Sequence, residues 1–130
     1  MGGNMDDSPN VDSQEFPEDV IAIPEEAFVL VGGVKVFPLT ESVVTIGRQL
    51  GNTLVIDDPR VSRKHAQLRA INGRYVLFDL DSSGGTLING HRATQSVLYP
   101  GDVISLAGVT LIYGQKNAPP RPDLKETSPL

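Results

Sequence analysis

Three polar loops between residues 47 and 90 contain the residue types that bind a phosphate group. The first is Gly47-Arg48, the second covers residues 59–65 and the third covers residues 81–85. Arginine presents several N–H donors in a planar fork, and serine hydroxyls and unhindered backbone amides can complete the binding of an anion. If the three loops meet in space, the sequence predicts a phosphate site.

Each loop taken alone also has an ordinary structural explanation. Arg48 is equally well explained as a plain surface arginine after a strand. The second loop places three cations and a hydroxyl within residues 60–65, which is also typical of a solvated basic turn. Small polar loops such as residues 81–86 are common in proteins. The phosphate hypothesis therefore depends on the order and convergence of the three loops, not on any one of them.

Short apolar segments rich in β-branched residues surround the loops and predict strands. The predicted segments are AFVLV at 27–31, VKVFPL at 34–39, VVTI at 43–46, TLVI at 53–56, HAQLRAI at 65–71, RYVLFDL at 74–80, TLI at 86–88, HRA at 91–93 and several pieces of SVLYPGDVISLAGVTLIYG at 96–114. No segment shows the 3.6-residue period of an amphipathic helix. This pattern predicts an all-β fold, a two-sheet and mostly antiparallel sandwich.

Glycine-containing pairs mark the turns between these segments. Asn72-Gly73 offers two residues that tolerate positive φ, so it favours a type I′ hairpin between its flanking strands. The other predicted turns are Gly32-Gly33, Asn89-Gly90, Pro100-Gly101 and Ala107-Gly108. We therefore expect a series of hairpins, with the polar loops at strand ends.

The composition excludes several kinds of site. The chain has 130 residues, the size of one domain, and no Cys, which rules out disulfides, thiolate metal sites and cysteine nucleophiles. Its two histidines, His65 and His91, are too few for most zinc sites. The first residues lack a signal-peptide pattern, and no apolar run approaches the ~20 residues of a membrane span. We expect a cytoplasmic protein with no cofactor, metal, membrane or nucleic-acid partner.

Charge divides the chain into three segments. Residues 1–26 contain eight acids and no Lys or Arg, and we expect them to form a disordered acidic tail. Residues 27–115, the predicted domain, contain eight bases and six acids. Residues 116–130 are Pro-rich and polar, which is typical of a flexible tail or linker. Because charges are screened over roughly 8 Å at physiological salt, the acidic tail does not exclude an anionic ligand at the basic loops.

The polar loops and the turns after them follow a recognisable order. The motifs are Gly47-Arg48, Ser62-Arg63-Lys64-His65, Ser82-Ser83-Gly84-Gly85-Thr86, Asn89-Gly90 and Leu98-Tyr99-Pro100-Gly101-Asp102-Val103-Ile104. In this order they resemble the forkhead-associated (FHA) domain, a phosphothreonine-recognition module of the SMAD/FHA sandwich type. The resemblance covers about residues 27–115.

The resemblance implies which residues contact a phosphopeptide. Arg48 and Ser62 would bind the phosphate, and Arg63 would add an amide or a second charge. Arg60 would read the third residue after phosphothreonine, with a preference for an acidic side chain. Ser83 would lie beside the peptide backbone.

The resemblance also implies a set of residues that shape the loops without touching the phosphate. His65 would form hydrogen bonds inside the fold and fix the shape of the serine loop, rather than act as an acid or base. The loop-shaping residues implied by the family pattern are Gly47, His65, Thr86, Asn89 and Gly90.

Gly84 is the one departure from the family pattern in the peptide-contacting loop. The family usually has Asn at this position, and that side chain holds the ligand's backbone. Each lost hydrogen bond is worth roughly 0.5 to 1.5 kcal/mol, or about three- to tenfold in affinity. We therefore expect weaker binding but not its loss.

The expected function is a non-catalytic module that docks phosphothreonine-containing partner proteins in Ser/Thr kinase signalling. One alternative is a scaffold on the same fold that recognises partners through a sheet face, independently of phosphorylation. A second is a hydrolase that uses Ser62, His65 and an aspartate as a catalytic triad. The neighbouring cations Arg63 and Lys64 make a poor match to that triad.

Overall fold

The computed structural model describes residues 22–122, which form eleven β-strands. Their bounds are β1 Phe28–Val31, β2 Lys35–Pro38, β3 Val43–Gly47, β4 Leu54–Val55, β5 Ala66–Ile71, β6 Arg74–Asp79, β7 Thr86–Ile88, β8 His91–Arg92, β9 Gln95–Val97, β10 Val103–Leu106 and β11 Val109–Gly114. The prediction of an all-β fold is confirmed.

The strands form two sheets packed face to face. The five-stranded sheet has the order β9-β6-β5-β3-β4, and the six-stranded sheet has the order β2-β1-β11-β10-β7-β8. Every strand pair is antiparallel except β3 and β4, which run parallel and align Gly47 with Val55. The predicted two-sheet, mostly antiparallel sandwich is therefore confirmed.

Three two-residue turns close the hairpins β5–β6, β7–β8 and β10–β11. The pairs Asn72-Gly73 and Asn89-Gly90 have positive φ at both residues, as a type I′ turn requires. The third turn is Ala107-Gly108, where φ is 52° at Ala107 and 97° at Gly108. Alanine rarely adopts this conformation, so Ala107 is a strained position that glycine would occupy more readily.

Strand β4 is shorter than the predicted segment 53–56. The backbone amide of Thr53 donates to the hydroxyl of Thr45 at 2.9 Å, and the Thr45 amide donates to the Thr53 hydroxyl at 3.1 Å. Side-chain hydroxyls thus replace backbone ladder bonds at the start of the segment. Ile56 still bonds through its amide to the Gly47 carbonyl at 2.9 Å. These bonds hold the chain between β3 and β4 as a compact loop.

The core lies between the two inner sheet faces. Its fully buried members with large apolar side chains include Val29, Val44, Ile46, Val61, Leu68, Tyr75, Leu77, Leu98, Ile104, Leu106, Leu111 and Tyr113. The rings of Tyr75 and Tyr113 meet edge to face with centroids 6.3 Å apart. Burial raises the pKa of Tyr75 to about 12. Tyr75 stays neutral and donates its hydroxyl proton to the Glu41 carbonyl at 2.5 Å.

Residues after the last strand also contact the sandwich. The Lys116 amide donates to the Glu25 carbonyl at 2.9 Å. Arg121 donates through Nε and Nη2 to the two carboxylate oxygens of Asp102, at 3.0 and 2.9 Å, and its guanidinium lies 4.9 Å from the ring centroid of Tyr99. The domain limits at residues 27 and 115 stay predictions. The contacts of Glu25, Lys116 and Arg121 involve residues outside these limits.

The remaining expectations about the ends concern residues that the structure does not describe. The predicted acidic and Pro-rich tails include residues 1–21 and 123–130, and these residues lie outside the described range. Between residues 22 and 122, no helix has the length and apolar character needed to cross a membrane.

Candidate functional site

The loop between β3 and β4 is bonded directly to the loop that precedes β5. The Arg48 amide donates to the Ser62 carbonyl at 3.0 Å, and the Gln49 amide donates to the Arg63 carbonyl at 3.2 Å. The side-chain amide of Asn52 adds a bond to the same Arg63 carbonyl at 2.8 Å. The first two predicted phosphate loops therefore lie side by side.

Gly47 is required at the junction of these two loops because the backbones approach so closely. A Cβ atom added to Gly47 would overlap the carbonyl group of Arg63 and would lie 2.9 Å from Nδ2 of Asn52. Close approach, not an unusual φ angle, therefore explains the glycine before Arg48.

His65 joins the second loop to the third. Its ring is fully buried, and Nδ1 accepts a hydrogen bond from the Ser62 amide at 3.1 Å. The proton must then reside on Nε2, which donates to the Gly85 carbonyl at 3.0 Å. The Ser83 amide donates to Oγ of Ser62 at 3.0 Å, a second link between the same loops. The three loops predicted from the sequence thus converge.

These bonds also bear on the hydrolase alternative. A hydrolytic triad needs an imidazole nitrogen that accepts the proton of the serine hydroxyl. Both ring nitrogens of His65 are bonded to backbone groups, and Nδ1 faces the amide of Ser62 instead of its hydroxyl. This geometry does not match a Ser62–His65 nucleophile pair.

Asp79 organises the third loop from the end of β6. Its carboxylate accepts hydrogen bonds from the hydroxyls of Ser82 and Thr86, both at 2.6 Å, and from the Ser82 amide at 3.1 Å. Burial acts to raise the pKa of Asp79, but the bonds from Ser82 and Thr86 outweigh it and hold the pKa below its usual value. Asp79 was not among the residues predicted from the sequence, although Asp side chains are common in turns because they hydrogen-bond nearby backbone groups.

The cations around the loops differ in whether they have a partner. Arg48 is exposed, and its Nε donates to the Val61 carbonyl at 3.0 Å. This bond directs the side chain across the second loop. Arg63 and Lys64 are also exposed, and none of these three cations forms an ion pair within the described range of residues 22–122. Their charge is available to an anion.

Arg60 does have a partner, which the sequence analysis missed. Its Nε and Nη2 donate to the two carboxylate oxygens of Asp58 at 3.0 and 2.9 Å, and its amide donates to the same carboxylate at 2.9 Å. The Arg60 side-chain bonds lower the pKa of Asp58 to about 2. The role of Arg60 as a specificity residue stays a prediction, and its charge is already balanced by Asp58.

Asn89 lies at the far end of β7 from the third loop. Its Nδ2 donates to Asp102 at 2.9 Å, and its Oδ1 accepts from the Val103 amide at 2.9 Å. Asn89 therefore links the end of β7 to β10 rather than contacting the converging loops, and Gly90 completes the turn between β7 and β8. Thr86, at the near end of β7, is buried and bonded to Asp79.

Gly84 and Ser83 form the exposed tip of the third loop. A Cβ atom on Gly84 would overlap the Cβ of Ala107, in the β10–β11 turn, and would lie 3.4 Å from the Arg60 carbonyl. The turn against which it packs therefore explains why glycine occupies the position where the family pattern has Asn.

Arg92, in β8, is a further cation beside the third loop that the sequence analysis missed. Its Nη2, Nη1 and Cζ lie 2.9, 3.2 and 3.3 Å from the point that a Cβ of Gly85 would occupy. The guanidinium therefore covers Gly85, where φ is +81°. The pair Asn89-Gly90 pointed to a hairpin here, but no motif indicated that the second residue after it would reach back to the loop.

Comparison with known proteins identifies the family. A model described as FHA domain matches residues 44–107. A relative named oxoglutarate dehydrogenase inhibitor, from Corynebacterium jeikeium, is 32% identical over 110 residues, which cover 78% of this chain and 76% of the relative. Matches to several other curated relatives span only 48% to 54% of those proteins' length.

Solved structures agree with the sequence comparison. One comes from a study of phosphothreonine-dependent FHA domain interactions; it is 28% identical, has a TM-score of 0.66 and covers 70% of this chain and 97% of its own. Another is Mycobacterium tuberculosis EmbR in complex with a low affinity phosphopeptide, 28% identical with a TM-score of 0.67, covering 70% of this chain and 24% of its own. Sequence motifs, sandwich topology and these relatives agree that the chain belongs to the FHA domain family.

Proposed function

We propose that this domain is a non-catalytic cytoplasmic module that docks phosphothreonine-containing partner proteins in Ser/Thr kinase signalling. The observation that carries the proposal is the convergence of three loops around Ser62, beside exposed cations that have no acidic partner in the described part of the chain. The structures of similar FHA domains from work on phosphothreonine-dependent interactions and on a phosphopeptide complex support it.

Arg48 and Ser62 form the core of the phosphate site. Because Oγ of Ser62 accepts from the Ser83 amide, its own proton remains available to donate to a phosphate oxygen. Arg48 uses Nε on the Val61 carbonyl, which leaves both Nη groups for the phosphate. A phosphate carries about −1.5 to −2 charges at pH 7, so charge-assisted hydrogen bonds of roughly 1.5 to 3 kcal/mol favour the phosphorylated ligand.

The remaining predicted site residues surround this core. Arg63 adds a second cation from the same loop as Ser62. Ser83 and Gly84 are exposed where a peptide backbone would cross the third loop. Selectivity for phosphothreonine over phosphoserine must come from the extra methyl group, because the two carry the same charge. One buried methyl contributes about 0.8 kcal/mol, or nearly fourfold in affinity.

The test is a titration of the purified protein with a library of phosphothreonine peptides and their unphosphorylated forms. We expect the best peptides to bind at least about a hundredfold more tightly when phosphorylated, as two charge-assisted bonds would provide. If no peptide prefers its phosphorylated form, the proposal is wrong. Partner capture that is unaffected by phosphatase treatment would instead support the phosphorylation-independent scaffold.

A change at Gly84 tests how the third loop meets the peptide. Because a Cβ at this position overlaps Ala107, we expect Gly84→Asn alone to displace the loop and weaken phosphopeptide binding. We expect the double variant Gly84→Asn/Ala107→Gly to bind about three- to tenfold more tightly than the natural protein, because it adds one or two hydrogen bonds without the overlap.

The control for this prediction is Ala107→Gly alone. Glycine relieves the strained φ of 52° and leaves the third loop in place, so this variant should bind like the natural protein. Calorimetric titration of the four proteins measures the effect. Tighter binding by Gly84→Asn alone would contradict the overlap argument.

A further inference from the structure

Two arginines flank the third loop, and within residues 22–122 only Arg60 of the two forms an ion pair with a carboxylate. We propose that Arg92 is the specificity-determining residue that selects an acidic side chain in the phosphopeptide, while Asp58 occupies Arg60. This inference rests on the proposed function, because it assigns a preference to the same peptide-binding site. The contrast between the two arginines is the observation that carries it.

Strand β8 places Arg92 beside the loop tip. Arg92 is paired with Leu87 across the β7–β8 hairpin, and Leu87 is two residues after Gly85. Residues two apart on a strand face the same way, so the Arg92 side chain extends along the face that leads to Gly85. The contact of its guanidinium with Gly85 is the result. Arg92 is exposed and adjoins the tip formed by Ser83 and Gly84.

The charge of Arg92 is not offset by an ion pair within the described residues. Among residues 22–122 no carboxylate forms an ion pair with it, and Asp81, the exposed acid of the same loop, is no exception. A guanidinium has five N–H donors in a planar arrangement that matches a carboxylate. An acidic side chain arriving on a peptide would therefore gain a new ion pair.

Arg60 has fewer free N–H donors for a ligand carboxylate. Its Nε and Nη2 are bonded to Asp58, and its Nη1 lies 2.9 Å from the point that a Cβ of Gly108 would occupy. A ligand carboxylate that approached Arg60 would have to replace Asp58, so one exposed ion pair would be exchanged for another. Such an exchange yields almost no net gain in affinity, since one exposed ion pair replaces another of similar strength.

The experiment compares one phosphothreonine peptide with variants that carry Asp instead of Ala at each flanking position in turn. For the natural protein we expect one or two positions at which Asp improves binding about three- to fivefold, in low salt. In Arg92→Gln we expect the ratio of the affinities for the Asp peptide and the Ala peptide to fall to about one. In Arg60→Gln the ratio should persist.

The third variant is Asp58→Asn. It releases a cation from its ion pair, whereas the other two variants each remove a cation. Removing the acid frees Arg60, so we expect a new or stronger preference for Asp to appear, and we expect Arg60→Gln to abolish that gain in the double variant. Each variant's thermal unfolding is measured alongside, because all three substitutions are at exposed or partly exposed residues and should fold normally.

The outcomes separate this inference from the proposed function. Loss of the Asp preference in Arg60→Gln but not in Arg92→Gln would overturn the assignment, as would the absence of an Asp preference at every position in the natural protein. The phosphorylated and unphosphorylated forms of the parent peptide are titrated against the natural protein in the same series. If phosphate itself makes no difference there, the proposed function fails; if it does and only the Asp ratios disagree, the inference alone fails.

Discussion

Replacing Arg48 with alanine is expected to weaken phosphothreonine-peptide binding by roughly a hundredfold or more. The substitution removes the guanidinium that the Val61 carbonyl holds across the second loop. Two charge-assisted hydrogen bonds to phosphate, at about 1.5 kcal/mol or more each, correspond to at least that loss. Stability should change by no more than about 1 kcal/mol, because the side chain is exposed and makes one bond to the protein. Peptide titration and urea unfolding measure the two quantities.

Two control variants separate a specific contact from a general effect of charge. Arg69 is an exposed arginine of β5 whose guanidinium lies 6.0 Å from the ring centroid of Phe78. Arg69→Ala removes the same charge, and we expect it to change affinity less than twofold. Arg48→Lys keeps the charge but loses the planar fork, so it should bind with intermediate affinity. Retained affinity in Arg48→Ala would place the phosphate site elsewhere.

The hairpins were predictable from the sequence because the turn chemistry is local. Asn72-Gly73 and Asn89-Gly90 adopt the positive φ angles that these residue types tolerate, and β-branched segments flank them. The length of β4 was less predictable. Residues 53–56 carry a clear strand pattern, yet the Thr45 and Thr53 hydroxyls take over the backbone bonds at its start.

The sequence motifs predicted the loops of the site but not the side-chain contacts that hold them. Family motifs gave the order of the loops, but Asp58 and Asp79 act through side chains whose importance depends on local bonds that no pattern displays. The overlap between Gly84 and Ala107 joins positions in different hairpins, which only the packed sandwich brings together. Arg92 likewise acquires its position from the register of β8. Contacts of this kind arise from tertiary packing, so periodicity and composition do not indicate them.

Arg121 forms an ion pair with Asp102. The sequence did not indicate this contact, because it predicts a flexible tail or linker for residues 116–130. Asp102 is almost completely buried, and the Arg121 side chain is 17% exposed. The Tyr99 amide and Asn89 also donate to Asp102, and Arg121 reaches the Val97 carbonyl at 2.7 Å. Burial acts to raise the pKa of Asp102, but its bonds to Arg121 and the other donors keep that pKa below its usual value.

Arg121→Ala is therefore expected to lower the free energy of unfolding by about 2 to 3 kcal/mol. Removing one partner of a buried ion pair costs roughly 3 to 5 kcal/mol, and the two donors that Asp102 retains reduce the loss. The matched control is Lys116→Ala, which removes an exposed pair with Glu26 at 3.8 Å and should cost less than about 0.5 kcal/mol. Urea unfolding of the full chain at neutral pH measures both.

The pH dependence of this difference supplies the decisive check on the Arg121 prediction. Because the folded pKa of Asp102 lies below its unfolded value of about 3.9, its charge stabilises the fold above that value, and the stabilisation is lost as pH falls through the folded pKa. Removing Arg121 should bring the folded pKa closer to the unfolded one. The stability gap between the natural protein and Arg121→Ala should therefore narrow in acid. A gap that is equal at neutral and acidic pH would show that Arg121 acts through packing on Tyr99 and not through the ion pair.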